Sequence, residues 1–205
     1  MFGVFLGFGT LTRRIILGEG DPKRLFVGGL HGDEWRYTSA ILESLDAPGA
    51  GAGTLVIIPK LTDQAYISTL DDRYYESYGR EIVAAIREIK PAIYLELHSY
   101  RDFDGLTDPG RIDRAFVPAY IELEDGVLIG SISPILRRAC FSMHDLCISF
   151  EIPEWGGRSR DLVARLLKSA VNCVSRSEFV DFVLSRYPEQ GRLAIENYKR
   201  FYGLK

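Results

Sequence analysis

Three histidines, three cysteines and no apolar run of membrane-spanning length leave this 205-residue chain few ways to build a reactive centre. The cysteines, Cys140, Cys147 and Cys173, are an odd set without a CxxC pair, which argues against a disulfide framework and fits a reducing cytoplasm. No apolar stretch approaches the roughly 20 residues of a membrane helix. The apolar start, Met1 to Thr10, lacks a preceding positive region and is broken by Gly3, Gly7 and Gly9, so it reads as a strand and not as a secretory signal. Basic residues are not in excess: 25 Lys and Arg stand against 28 Asp and Glu, a net charge of -3. That balance provides no field for nucleic acid and no polybasic run for a membrane surface.

What is present is enough apolar material, 46% of the residues, for one core. A single domain over 1–205 is expected, with an N-terminal hairpin (1–20), a core (24–155) and C-terminal helices (158–203). Gly3 to Gly18 carries two apolar runs, VFLGF and RRIIL, around a Gly-Thr turn, which suits the hairpin. RLFVG (24–28) reads as a short buried strand, and residues 34–44 as a helix after a loop. TLVIIP (54–59) has the β-branched look of a central strand; REIVAAIREIK (80–90) is an amphipathic helix stopped by Pro91; AIYLEL (92–97) is a strand again. Further strands are expected over 115–123 and 146–151, and two or three helices over 158–202. Alternation of strands and helices predicts an α/β fold, a mixed, mostly parallel sheet covered on both faces, because parallel neighbours need long crossovers.

Two of the histidines directly follow predicted strands: His31 in VGGLHGDEW and His98 in YLELHSY. In open α/β sheets, ligands bind beyond the carboxyl ends of the strands, so these loops can converge on one site. Glu34 follows His31 closely enough for a turn entering a helix to aim both side chains at one cation. Two imidazoles and a carboxylate leave a fourth position open, the arrangement of a catalytic Zn2+. Water at that position needs a proton acceptor and the leaving amine a donor. CISFEIP (147–153) presents Glu151 at another strand end for that work, with Glu154 as its near competitor. His144, in SMHDLC, is read as capping a turn, and Tyr74, Tyr75 and Tyr78 as half-buried packing.

HGDE, LELHS and SFEIPEW together resemble, in order, the signatures of the zinc carboxypeptidases and their succinylglutamate desuccinylase and aspartoacylase relatives. The resemblance covers roughly residues 24–155. It implies a three-layer α/β/α sandwich on a sheet of about eight strands. It also implies His31, Glu34 and His98 as ligands of one Zn2+, and Glu151 as the catalytic glutamate. Where relatives carry Asp two residues before the third ligand, this chain has Glu96, on the same side of its strand as His98. The Asn-Arg pair that relatives use to grip a substrate carboxylate is not visible between the first two motifs. Arg73 in LDDRYY is the preferred substitute, ahead of Arg80.

The expected function is a zinc-dependent amide hydrolase, carboxypeptidase-like or deacylating N-acyl amino acids. A non-catalytic zinc- or ligand-binding module on the same fold is the alternative. The expected partner is a small-molecule or short-peptide substrate, with a homo-oligomer left open.

Overall fold

A computed structural model describes residues 12–49, 52–142 and 144–204. Its sheet has seven strands: β1 (Ile15–Glu19), β2 (Lys23–Gly28), β3 (Gly53–Ile58), β4 (Ile93–Tyr100), β5 (Ile121–Glu124), β6 (Val127–Ser131) and β7 (Leu146–Pro153). They lie in the order β1-β3-β2-β4-β7-β6-β5. The central pairs β3-β2, β2-β4 and β4-β7 are parallel, while β1, β6 and β5 attach antiparallel at the two sides. The fold is therefore the expected mixed, mostly parallel α/β sheet. The first strand of the expected hairpin lies outside the described residues, and its second, β1, pairs with β3.

Strand alternation sorts the core into two layers. Phe26, Ile57, Leu95, Leu97, Phe150 and Ile152 face one side. There they meet Ile41 and Leu42 of α1 (Trp35–Glu43), Leu162 and Leu166 of α7 (Gly157–Asn172), and Phe179 of α8 (Arg176–Arg186). Leu25, Val27, Val56, Ile58, Tyr94 and Cys147 face the other side. They pack on α3 (Arg80–Ile89) and α6 (Pro134–Cys140). Helix α3 shows why it forms: Ile82, Ala85, Ile86 and Ile89 make one buried stripe at helical spacing. It ends at Lys90, in the left-handed conformation before Pro91.

Four short or terminal helices complete the described residues: α2 (Asp72–Glu76), α4 (Phe103–Thr107), α5 (Arg111–Ala115) and α9 (Pro188–Tyr202). No described helix is long and apolar enough to cross a membrane.

Two expectations need correction. The strand predicted over 115–123 is absent from 115–120; α5 ends at Ala115, Phe116 turns left-handed, and β5 begins only at Ile121. Pro118 lies in that gap, where its missing N–H would break a ladder. His98 lies inside a strand and not after it, because β4 runs on to Tyr100 in register with β7 through Pro153. The apolar pattern stops at Leu97 while the backbone pairing continues.

Candidate functional site

Alternation along β4 and β7 turns Glu96 and His98 to the same face as Tyr94, and Ser149 and Glu151 to the same face as Cys147. This is the α3/α6 face. Where apolar residues end, polar ones continue the same two rows. Leu30 and His31 arrive there from the β2–α1 loop, which is held at several points. Tyr74 donates to the Leu30 carbonyl at 2.9 Å, Gly32 N–H to the Gln64 carbonyl at 2.8 Å, and Gly29 N–H to Thr38 Oγ1 at 3.2 Å. Gly29 has φ +57°, and a Cβ there would stand 2.7 Å from that of Trp35, so glycine permits the close loop-to-helix approach. Glu34 occupies the N-cap position of α1.

His31, Glu34 and His98 converge as a buried cluster in which one ligand atom from each lies within 4.8 Å of the others. Glu34 Oε1 is 3.2 Å from His98 Nδ1 and 3.5 Å from His31 Nδ1. The far nitrogen of His98, Nε2, sits 3.3 Å from Glu96 Oε2, and Tyr94 donates to Glu96 Oε1 at 2.8 Å. Three residues are thereby close enough to hold a single metal ion, with a carboxylate and a phenol behind one of them.

Two buried atoms of this cluster, His31 Nδ1 and Glu34 Oε2, have no hydrogen-bond partner among the described residues. Unpaired polar atoms at such depth are costly and call for a partner. Burial drives the pKa of His31 down to about 4, which keeps its imidazole neutral and able to donate a lone pair. Burial also opposes charge on His98, but Glu34 and Glu96 outweigh it and hold that pKa well above its ordinary value.

Glu151 lines the same cavity as this cluster. It is 9% exposed and stands opposite His98 in the strand register. Burial raises its pKa to about 7, against the opposing pull of His98. A carboxyl titrating there can both take and give a proton near neutrality. Glu154 also lines the cavity but is engaged by Arg101 Nε at 2.7 Å.

Arg73 does not join this group. Its side chain is 79% exposed and ion-paired with Asp71, the N-cap of α2, and it lies outside the cavity lining. The cation that does line the cavity near Glu151 is Arg111. Its guanidinium lies 4.9 Å over the Tyr120 ring and donates to the Pro118 carbonyl at 2.8 Å. Tyr120 in turn donates to Ser149 Oγ at 3.0 Å. Among the described residues no carboxylate forms an ion pair with Arg111, whereas Arg101 and Arg114 are paired with Glu154 and Asp108. The sequence carried no signal for Arg111 beyond a turn, DPG, before it. His144 is exposed and its backbone N–H bonds Ser142 Oγ, a turn contact remote from the cluster.

A family described as "uncharacterized protein conserved in archaea" (DUF2119) matches residues 19–203. An uncharacterized protein of Methanocaldococcus jannaschii is 39% identical over 175 residues, covering 82% of this chain and 85% of that one. Among solved structures, an aspartoacylase family protein from Mesorhizobium loti is 16% identical with a TM-score of 0.38. The match covers 84% of this chain and 54% of that one. A metallo-carboxypeptidase from Pseudomonas aeruginosa is 12% identical with a TM-score of 0.42, covering 85% and 61%. The chain thus spans less than two thirds of either solved protein. Neither likeness, at these scores, bears on the chemistry.

Proposed function

We propose, for a chain that belongs to the archaeal family DUF2119, the function of a zinc-dependent hydrolase acting on a C–N amide bond, either carboxypeptidase-like or deacylating N-acyl amino acids. The observation that supports it most is the convergence of His31, Glu34 and His98 beside a separate, buried carboxylate, Glu151. Two imidazoles and one carboxylate are a zinc donor set that leaves a coordination position free. The partnerless His31 Nδ1 and Glu34 Oε2 fit an ion held between these side chains.

When bound, zinc supplies a Lewis acid that polarises a carbonyl and acidifies water. The chain's own residues do the rest. Glu96 takes the Nε2–H of His98 and so fixes the ring with Nδ1 toward Glu34. Glu151 accepts the proton of the attacking water on a carboxylate oxygen and returns it to the departing nitrogen. Arg111 binds a carboxylate of the substrate, a role its planar fork performs best in a partly buried setting. The rival reading, a non-catalytic zinc-binding module, leaves Glu151 without a task, since a structural zinc takes four protein ligands.

The test is to reconstitute the protein with zinc, remove the excess, and assay N-acyl amino acids and short peptides for release of free amine. One zinc per chain and turnover are expected, with Glu151→Gln keeping the metal and losing about 10²- to 10⁴-fold in rate. A chain that takes up no zinc, or a Glu151→Gln variant as fast as the wild type, overturns the proposal.

A further inference from the structure

A second cavity lies between α8, α9 and the β5–β6–β7 side of the sheet. Its volume is about 110 Å3, whereas close-packed interiors leave few voids larger than one water. Ile121, Ile129, Ile148, Phe179, Val183 and Leu184 line it, so water inside would find few partners. Pro118 and Ser131 are the residues it shares with the cavity of the His31, Glu34 and His98 cluster. Helix α9 borders both, here at Ala194 and there at Phe201 and Tyr202.

Three polar residues of the lining, Asp145, Arg176 and Tyr198, are gathered at one place. The Arg176 guanidinium lies 5.5 Å from the centre of the Tyr198 ring. Behind them Arg137, only 3% exposed, donates to the Tyr198 hydroxyl at 3.0 Å and to the Ser142 carbonyl at 2.7 Å. Among the described residues no carboxylate forms an ion pair with Arg137, and its Nε has no partner. A buried charge left so is costly and favours a nearby anion.

The other groups at this end do not cancel that charge. The Asp145 carboxylate is engaged by the Ser142 N–H at 2.7 Å. Burial pushes the Cys147 thiol well above its ordinary range, against the pull of Arg137 and Arg176, so it stays neutral. Tyr198 Oη accepts from Arg137 and keeps its own O–H to donate. An apolar interior with cations and a donor at one end suits a hydrocarbon chain that ends in an anion. Since a cavity of about 150 Å3 takes up benzene, this one holds a chain of about four carbons.

We infer that this cavity is a second binding site, which takes a short-chain aliphatic carboxylate with its chain among Ile129, Ile148 and Val183 and its carboxylate at Arg176 and Tyr198. The inference is independent of the hydrolase reading and assigns a binding role to the two C-terminal helices.

The test titrates the full-length protein, carrying carbon-13-labelled isoleucine methyl groups, with acetate, propanoate, butanoate, pentanoate and heptanoate. The methyl signals of Ile129 and Ile148 are expected to shift with pentanoate. Affinity should rise about fourfold per methylene from acetate to pentanoate and stop rising at heptanoate, whose chain exceeds the cavity. Arg176→Gln should weaken pentanoate about tenfold and leave the affinity for 1-pentanol unchanged. Ala194→Leu, which fills the cavity from α9, should abolish binding; Val180→Phe fills it from α8 if that chain does not fold. Arg111→Ala should leave the shifts in place, since a carboxylate held there belongs to the other cavity. Signals that stay still, affinities that ignore chain length, pentanoate bound as tightly by Arg176→Gln, or binding that survives a filled cavity and is lost with Arg111 would each overturn the inference.

Discussion

His98 and Glu151 stand directly opposite one another in the parallel register of β4 and β7. Both are buried, and each reaches the site from a different central strand. Their separation is therefore set by the sheet's hydrogen bonds and not by a loop, the most rigid support an α/β fold can give two reactive side chains.

That placement makes Glu151 visible in the stability of the metal-depleted protein. Its pKa is about 7 in the fold against an ordinary 4.5. Between those values the native chain holds a proton that the unfolded chain has released. The stability contributed by the neutral carboxyl is complete below about pH 4.5 and is lost as pH rises through about 7. Because His31, held near 4, adds a slope of opposite sign over much of this window, the readout is the difference between proteins: denaturant titrations of metal-depleted protein should show the wild type losing stability relative to Glu151→Gln, whose amide cannot ionise, as pH rises from about 4.5 to 7. Parallel curves for the two proteins would remove Glu151 as the source.

Glu96 is expected to act through His98. Glu96→Ala frees the His98 ring and leaves Tyr94, which donates to Glu96, without its acceptor. Zinc affinity measured by competition with a chelator should fall about 10- to 100-fold, the usual cost of losing such a support. Glu96→Asp tests reach: a carboxylate one methylene shorter should recover only part of the loss. Unchanged affinity in Glu96→Ala would mean that His98 is oriented by packing alone.

How much of this could be read from the residues depended on period and length. The runs 24–28, 54–59, 80–90 and 92–97 show strand or helix periodicity strongly, and each has its element within two or three residues of the expected limits. Glu96 was placed beside His98 by alternation, and the contact is there at 3.3 Å. The segment from Phe103 to Tyr120 was read least well. Its helices α4 and α5 have five residues each, under two turns, so no amphipathic stripe can develop. Arg111 lies in that segment, and its tie to Tyr120 is a tertiary stacking contact with no trace in local spacing. The run rich in Asp and Tyr around Arg73 suggests an irregular loop, but it folds as α2, whose N-cap, Asp71, engages the Arg73 side chain locally. Phe201 and Tyr202 belong to the cavity only because α9 returns to the sheet, which no local pattern in the tail announces.

Tyr74 should prove a structural support of the ligand loop. It is fully buried, and its hydroxyl donates to the Leu30 carbonyl, next to His31. Tyr74→Phe removes that bond and leaves a buried carbonyl short of a partner, at a cost of about 1 to 3 kcal/mol in unfolding free energy. Zinc should still bind, more weakly, since the His31 loop keeps its ties to Gln64 and Thr38. Chemical denaturation and metal competition on one preparation measure both effects. A Tyr74→Phe chain with wild-type stability and affinity would show that the hydroxyl is dispensable.

Arg111 and Arg73 give the sharpest contrast, because the two arginines differ in place and not in chemistry. Arg111 lines the cavity, lies on Tyr120 and has no ion pair among the described residues; Arg73 is exposed and held by Asp71. With any carboxylate-bearing substrate the protein turns over, Arg111→Ala should raise KM, or lower kcat/KM, by about 10- to 100-fold, equivalent to one hydrogen-bonded charge pair. Arg111→Lys should recover part of that loss, keeping the charge without the planar fork. Arg73→Ala should leave kinetics within twofold of the wild type while weakening the start of α2, where Asp71 also caps the helix. Steady-state kinetics of the three variants decide the matter. A large KM effect in Arg73→Ala with none in Arg111→Ala would move the carboxylate site to α2, and would require that helix to approach the cavity when substrate is bound.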